Sequence, residues 1–277
     1  MSQKTILITG CSSGIGLSAA TALKQRGYRV FASARKPEDA AKLSTQGFES
    51  IQLDVNDSAS MHTALEHILS LTNGRLDALF NNAGYLLAGA IEDLTRDMER
   101  AQFETNVFGP MELTRLILPV MRRQGYGRII QNSSILGIVT LPYCGAYNAS
   151  KFALEGFSNT LRQELRGTNI SVAIINPGPI YTSLRNNTYQ QYQNTLINIQ
   201  DSPHKEAYKK MEKFYFQRKE PGKLSSQPDI VVKKLIHALE STRPRAHYYV
   251  GLSAQALAFL RRILPDFALD WVLSKAR

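Results

Sequence analysis

The chain is poor in cysteine: its 277 residues hold 2, Cys11 and Cys144. Two thiols so placed make no disulfide framework, and neither has metal-ligand spacing. A reduced, cytoplasmic setting fits, and no metal is expected. Long apolar runs are lacking too; none reaches the ~18 residues that span a bilayer. Met1 to Thr5 passes at once into a short apolar segment and is not expected to be a signal peptide. There is no internal repeat and no low-complexity tract. The net charge is +10, yet no long basic run and no reader motif accompanies it. Nucleic-acid binding is therefore not expected. Attraction of an anionic ligand, or contact with an acidic membrane surface, explains the charge more simply.

What is present is an ordinary globular balance, 43% hydrophobic and 20% charged. Seven short strand-like runs recur, at Thr5–Thr9, Arg29–Ser33, Ser50–Leu53, Leu76–Phe80, Arg128–Asn132, Ile170–Ile175 and His247–Val250. Helical patterns separate them. Such alternation predicts an α/β fold, a doubly wound seven-stranded parallel sheet with helices on both faces. No composition break marks a second domain, so residues 1–277 are expected to form one. The polar stretch 182–227 is too long for a plain connection and is expected to be a partly helical insert that lids a substrate cleft. Residues 253–277 form an amphipathic tail.

Gly10-Cys11-Ser12-Ser13-Gly14-Ile15-Gly16 follows the first strand and opens the first helix. Glycines there let backbone approach a pyrophosphate, and the helix N-terminus supplies free N–H groups. The spacing is Gly-x-x-x-Gly-x-Gly rather than the better-known Gly-x-Gly-x-x-Gly. An NAD site wants an acid at the end of the second strand, for the ribose 2′-hydroxyl. This chain has Ala34-Arg35-Lys36 there, and its first acid, Glu38, comes after the turn. An arginine grips a 2′-phosphate with two hydrogen bonds, so NADP is expected over NAD.

Tyr147 and Lys151 stand four residues apart, on one helix face. An ammonium beside a phenol lowers a pKa near ~10 toward the neutral range. Such a pair is also common on helix surfaces, so its neighbours decide its meaning.

Those neighbours are Thr9-Gly10-Cys11-Ser12-Ser13-Gly14-Ile15-Gly16, Asp54-Val55, Asn81-Asn82-Ala83-Gly84, Asn106, Ser133-Ser134 and Pro177-Gly178-Pro179-Ile180-Tyr181-Thr182. In this order, across about two-thirds of the chain, the set resembles the short-chain dehydrogenase/reductase family. It is most similar to the branch of 17β-hydroxysteroid dehydrogenases, retinol dehydrogenases and bacterial NADP-dependent aldehyde reductases. The resemblance implies a single Rossmann-type domain and NADPH as cofactor.

It also implies residue roles. Gly10, Gly14 and Gly16 would shape the pyrophosphate turn, with Ser12 and Ile15 beside them. Ser13 and Arg35 would meet the 2′-phosphate, Asp54 and Val55 the adenine. Asn81 would line the cofactor ribose next to Ala83 and Gly84. Pro177, Gly178, Ile180 and Thr182 would hold the nicotinamide end. Tyr147 would be the general acid of reduction and Lys151 its electrostatic partner, also bonding the ribose. Ser134, chosen over Ser133 by its thirteen-residue spacing to Tyr147, would bond the substrate oxygen. Asn106 would anchor a water relaying protons to Lys151.

A cleft wall of Leu86, Leu87, Leu136, Leu141, Tyr143, Cys144 and Tyr181 suits a lipophilic aldehyde or ketone, or the matching alcohol. The amphipathic tail suits a cover for that cleft or a subunit interface, the preferred reading, or peripheral contact with a membrane. The long helical stretches Met98–Arg123 and Tyr147–Arg166 resemble the family's subunit interface, which implies a homodimer or homotetramer.

Overall fold

The computed structural model describes residues 3–182, 184, 188–189, 192–193, 201–213 and 225–275. The remainder of the 182–227 insert lies outside the described residues, as do Met1, Ser2, Ala276 and Arg277. Seven strands form one parallel sheet in the order β3-β2-β1-β4-β5-β6-β7. They are β1 (Thr5–Ile8), β2 (Arg29–Ala34), β3 (Glu49–Gln52), β4 (Ala78–Asn81), β5 (Gly127–Asn132), β6 (Ile170–Pro177) and β7 (His247–Val250). Each begins and ends within two residues of the run read from the sequence.

Helices α1 (Gly14–Gln25), α2 (Pro37–Thr45), α3 (Ser58–Leu71), α4 (Arg96–Phe103), α5 (Gly109–Gln124) and α6 (Gly145–Glu164) fill the first two-thirds of the chain. α7 (Lys205–Met211), α8 (Asp229–Glu240), α9 (Leu252–Ile263) and α10 (Asp266–Lys275) follow. β1 and β4 are buried along their whole length, because helices cover both faces of the sheet. Alternation sorts their side chains. Ile6, Ile8, Ala78 and Phe80 enter one core, with Ala19, Leu23 and Leu235 of α1 and α8. Leu7 and Leu79 enter the other, with Ile68, Ile117 and Leu161 of α3, α5 and α6. At about 1.5–3 kcal/mol for each buried aliphatic side chain, these two cores hold the sheet rigid beneath the loops.

The expected helix Met98–Arg123 is a composite. A π-turn, Glu104–Phe108, joins α4 to α5. Close packing accompanies it: a Cβ at Gly109 would stand 2.1 Å from the Val55 carbonyl oxygen. Asn106 sits inside this widened turn, a feature frequent at functional sites.

β1 neighbours both β2 and β4, so the chain departs to opposite sides from the middle of the sheet. Ligands bind in the crevice that such a switch point opens at the carboxyl ends of the strands. Among the described residues no helix is long and apolar enough to cross a membrane.

Candidate active site

A cleft of about 900 Å³ opens above the switch point. Its floor is the glycine loop after β1 and the Asn82-Ala83-Gly84 segment after β4. Two glycines are required by close approach. A Cβ at Gly16 would lie 2.2 Å from the Gly10 carbonyl oxygen and 2.6 Å from Asn82 Nδ2. Gly10 has φ +71, and a Cβ there would meet Ala83 Cα at 2.9 Å. The first turn of α1 carries no acidic residue, and its N-cap, Ser13, makes no side-chain cap bond. Uncapped N–H groups at the open end of a helix dipole suit a pyrophosphate.

Three strand ends are laced together beside this loop. Asn82 Nδ2 donates to the carbonyls of Thr9 (2.9 Å) and Gly10 (3.1 Å). Asn132 Nδ2 donates to Asn82 Oδ1 at 2.9 Å. The Asn132 carbonyl accepts from Lys151 Nζ at 2.8 Å. This row fixes the lysine relative to the cofactor floor.

Asn81 departs from expectation. Its Nδ2 donates to Thr114 Oγ1 (3.0 Å) and the Pro110 carbonyl (3.2 Å), inside the core under α5. Alternation along β4 explains this, since Asn81 shares the side taken by Leu79. Asn82, one residue past the strand, bridges the turn and lines the cleft instead. Arg35, Asp54, Val55, Ala83, Gly84, Pro177, Gly178, Ile180 and Thr182 all line it as expected, together with Ser12, Ser13, Gly14 and Ile15. Lys36, Asp39 and Tyr85, not singled out in the sequence, join them.

Ser134, Tyr147 and Lys151 line the same cleft. Tyr147 and Lys151 share one face of α6, with Nζ 5.6 Å from the Tyr147 ring centroid. Lys151 is 5% exposed. Burial disfavours its ammonium and brings its pKa down to about 8, against an opposing pull from Glu155. Ser134 follows β5 in extended backbone, and its Oγ accepts from Leu136 N at 3.1 Å. Ser133 Oγ packs instead against Gly137, where a Cβ would stand 2.8 Å away.

Asn106 is buried nearby. Its Nδ2 donates to the Tyr85 carbonyl (3.0 Å) and Ser150 Oγ (3.1 Å), and its Oδ1 accepts from Tyr85 N (3.1 Å). A Cβ at Gly84 would lie 3.0 Å from this Oδ1 and 3.8 Å from Lys151 Nζ. A side chain there would intrude between the two.

Beyond Tyr147 the cleft is bounded by a third apolar cluster. Leu86, Leu136 and Tyr147 form it with Leu141, Tyr143 and Cys144 packed alongside. Tyr143 holds φ +62, a left-handed conformation rare for an aromatic residue. Burial raises the Cys144 thiol to about 12, so it packs as a thiol rather than reacting as a thiolate. Two expected wall residues lie elsewhere. Leu87 is buried outside the cluster, its N–H donating to Gln102 Oε1 at 2.7 Å, and Tyr181 faces solvent.

Ala88, Ala90, Ile135 and Val139 join them, and six more come from far along the chain: Tyr192, Tyr208 of α7, Ala254 and Ala258 of α9, Leu269 and Leu273 of α10. The Tyr208 hydroxyl accepts from Ala90 N (2.9 Å) and donates to Asp93 Oδ2 (2.5 Å), which pins α7 to the segment after β4. The tail thus packs in the same cluster as Tyr147. No periodicity could have paired Tyr208 with Leu86; the Asn82–Asn132 pair was open to a test of strand parity.

Known proteins carry the same pattern. The family of short chain dehydrogenases matches residues 4–193. The oxidoreductase YbbO of Escherichia coli (strain K12) is 37% identical over 274 residues, 98% of this chain and 94% of that protein. Human 17-beta-hydroxysteroid dehydrogenase type 1 is 30% identical over 279 residues, 96% of this chain and 82% of that protein. The chain belongs to the short-chain dehydrogenase/reductase family. The same fold recurs in a short chain dehydrogenase from Burkholderia cenocepacia in complex with NADP, with TM-score 0.76, 24% identity, and 98% and 97% of the two chains covered. It recurs in one from Burkholderia phymatum in complex with NAD, with TM-score 0.78, 23% identity, and 94% and 92% covered. The chain is an oxidoreductase acting on an alcohol–carbonyl pair with a nicotinamide dinucleotide. The glycine cradle and the acid-free N-terminus of α1 fit that cofactor.

Proposed function

We propose that this short-chain dehydrogenase/reductase is an NADP(H)-dependent reductase of lipophilic aldehydes or ketones. A hydroxysteroid or retinol dehydrogenase is the neighbouring alternative. The observation that carries the reading is that Ser134, Tyr147 and Lys151 line one cleft with the glycine loop, while Tyr147 also enters an apolar cluster. Arg35 supports NADP: it lines the cleft just past β2, where Ala34-Arg35-Lys36 offers no carboxylate. A bound carboxylate would repel the 2′-phosphate that Arg35 and Ser13 grip. The choice of cofactor in turn favours reduction.

When bound, the nicotinamide ring supplies the hydride that reduces the carbonyl. The chain's own residues handle the oxygen. Ser134 Oγ donates a hydrogen bond to it and stabilises the charge that develops there. The Tyr147 hydroxyl gives its proton to the forming alkoxide. The Lys151 ammonium lowers the cost of the phenolate left behind, and bonds the nicotinamide ribose. Asn106 holds Tyr85 and Ser150 and presents Oδ1 beside Gly84, where a water can pass a proton to Lys151. Asp54 and Val55 receive the adenine, Asn82 takes the place expected of Asn81, and Ile180 and Thr182 hold the carboxamide.

The third cluster excludes water and selects lipophilic substrates. The insert and tail together act as its lid. α5 and α6 bound an apolar groove lined by Met111, Leu118 and Phe157, which suits a second copy of the chain in a homodimer or homotetramer. A cytoplasmic setting fits the two free thiols.

A specific observation also favours peripheral membrane contact. While Ala254, Ala258, Leu269 and Leu273 face inward, Phe259 (63% exposed), Ile263, Phe267 and Trp271 (65%) point outward from the same two helices. Arg262 and Lys275 flank this row and make no ion pair among the described residues. Aromatic and basic side chains on one helical face suit the headgroup region of an anionic bilayer.

Mixing the protein with NADPH and a series of medium-chain aldehydes, ketosteroids and retinaldehyde tests the principal reading. Loss of nicotinamide absorbance with at least one carbonyl is expected. Binding of NADPH with no turnover across the series would overturn it.

A further inference from the structure

Behind the catalytic wall lies a carboxylate that the chemistry above does not use. Glu155 stands one helical turn beyond Lys151 on α6 and is 6% exposed. We propose that Glu155 is a positioning residue for the reaction: it holds Asn176 against the Ser134 carbonyl and supplies the negative charge that keeps Lys151 an ammonium. The inference rests on the reduction chemistry proposed above, in which Ser134 and Lys151 act.

The strut is visible in two bonds. Asn176 Nδ2 donates to Glu155 Oε1 at 2.5 Å and to the Ser134 carbonyl at 3.1 Å. Asn176, on β6, is wholly buried. Ser134 therefore has its backbone fixed from behind, while its Oγ faces the cleft. The fit is tight, because a Cβ at Gly137 would meet Glu155 Cγ at 3.0 Å.

The cost of the site points to a role for the charge. A buried carboxyl is destabilising unless hydrogen-bonded or paired, and an aliphatic residue would fill the same space without that cost. Lys151 meets the same objection, since burial works against its ammonium. Glu155 lies one turn along α6 from Lys151, within electrostatic reach, so each charge favours the other. Nζ itself bonds the Asn132 carbonyl, and the carboxyl takes Asn176. Burial also pushes the Glu155 carboxyl up, while Ser133, Asn176 and Lys151 pull it down.

The other facing groups leave Lys151 as the principal cation. His247 of β7 places Nδ1 3.5 Å from Glu155 Oε2. Burial, together with Arg162 of α6 and Arg262 of α9, lowers the His247 pKa below its ordinary value, so the ring is neutral at pH 7. Ser133 and Asn176 carry no charge.

Protein labelled with ¹³C at lysine Cε tests this directly. The resonance missing from Lys151→Met belongs to Lys151, and its titration midpoint is read with and without Glu155. In Glu155→Gln the midpoint falls by about one pH unit, the effect of deleting a neighbouring opposite charge. The alkaline limb of kcat/KM for NADPH-dependent reduction moves with it. A merely structural role would lower the melting temperature and leave both midpoints in place, which overturns the charge claim. Should Glu155→Gln fail to fold, Glu155→Asp withdraws the carboxylate by one methylene. A smaller downward shift is then expected, and no shift overturns the claim. Asn176→Ala tests the strut separately: kcat falls about tenfold or more through loss of Ser134 alignment, with the lysine midpoint retained. Unchanged kcat would overturn it. If the wild type reduces no carbonyl, the functional reading falls, while the lysine titration still decides the charge claim.

Discussion

Arg35 and Lys151 carry the two residue-scale claims that solution measurements reach most easily. Arg35 stands where a carboxylate would select NAD. On the proposed NADP preference, exchanging it for an acid would remove two hydrogen bonds to the 2′-phosphate and add repulsion. Arg35→Asp is therefore expected to raise the Kd for NADPH by about 100-fold, roughly 3 kcal/mol, with little change for NADH. Fluorescence titration of both cofactors checks it, and an intact NADPH preference would rule Arg35 out.

Lys151 sets a pH limit. Its pKa in the free protein is brought down to about 8 by burial. Below that pH the ammonium is present and supports proton donation by Tyr147; above it the charge is lost. Reduction measured as kcat/KM, which reports the free enzyme, should fall as pH rises through about 8. The stability contribution has the opposite slope. A lysine with a lowered folded pKa is penalised while charged, and the penalty fades between about 8 and 10.5. Activity should thus decline over a range in which this group lends the fold stability.

Legibility at this scale followed side-chain chemistry rather than orientation. Tyr147, Lys151, Ser134 and Arg35 were readable because their chemistry is distinctive and their places in the strand–helix order were clear. The exchange between Asn81 and Asn82 was not, since neighbouring residues at a strand end take opposite faces. Glu155, Asn176 and His247 passed unnoticed because one polar residue on each of three elements carries no spacing signal.

Among the elements, the strands were the most legible. Parallel strands buried on both faces read as short continuous apolar runs, and the observed ends stay within two residues of them. The helical stretch around Asn106 was readable as helix but not as a π-turn, which depends on the packing of Gly109 against Val55.

The tail pair, α9 and α10, has both an inner and an outer apolar face, so a packing role and a surface role are both open to test. Its outer face contains the chain's single tryptophan, Trp271. Anionic phospholipid vesicles should shift Trp271 emission to the blue and make it quenchable by brominated lipid, with neutral vesicles much less effective. An unshifted spectrum at saturating lipid would remove the membrane reading. A blue shift that grows with protein concentration, without lipid, would assign the face to a second copy of the chain.

At the scale of the whole molecule, sheet order does what no single motif can. It brings the ends of β1, β4 and β5 side by side, so Gly10, residues 12–15, 82–84 and 132–134 share one cleft. The third apolar cluster draws on residues from 86 to 273, and its composition depended on contacts too distant in sequence for periodicity to reveal. The proposed preference for lipophilic carbonyls rests on that cluster and goes no finer, because its side chains are mostly apolar.

The central claim is that Tyr147 delivers the proton to a carbonyl reduced by NADPH. A single-turnover comparison of the wild type with Tyr147→Phe, each saturated with NADPH, is the most direct measurement. The phenylalanine keeps the ring and its packing but removes the hydroxyl. NADPH affinity should stay within about threefold, while the rate of carbonyl reduction falls by about a thousandfold or more, some 4 kcal/mol of barrier. Reduction by Tyr147→Phe at the wild-type rate would contradict the account.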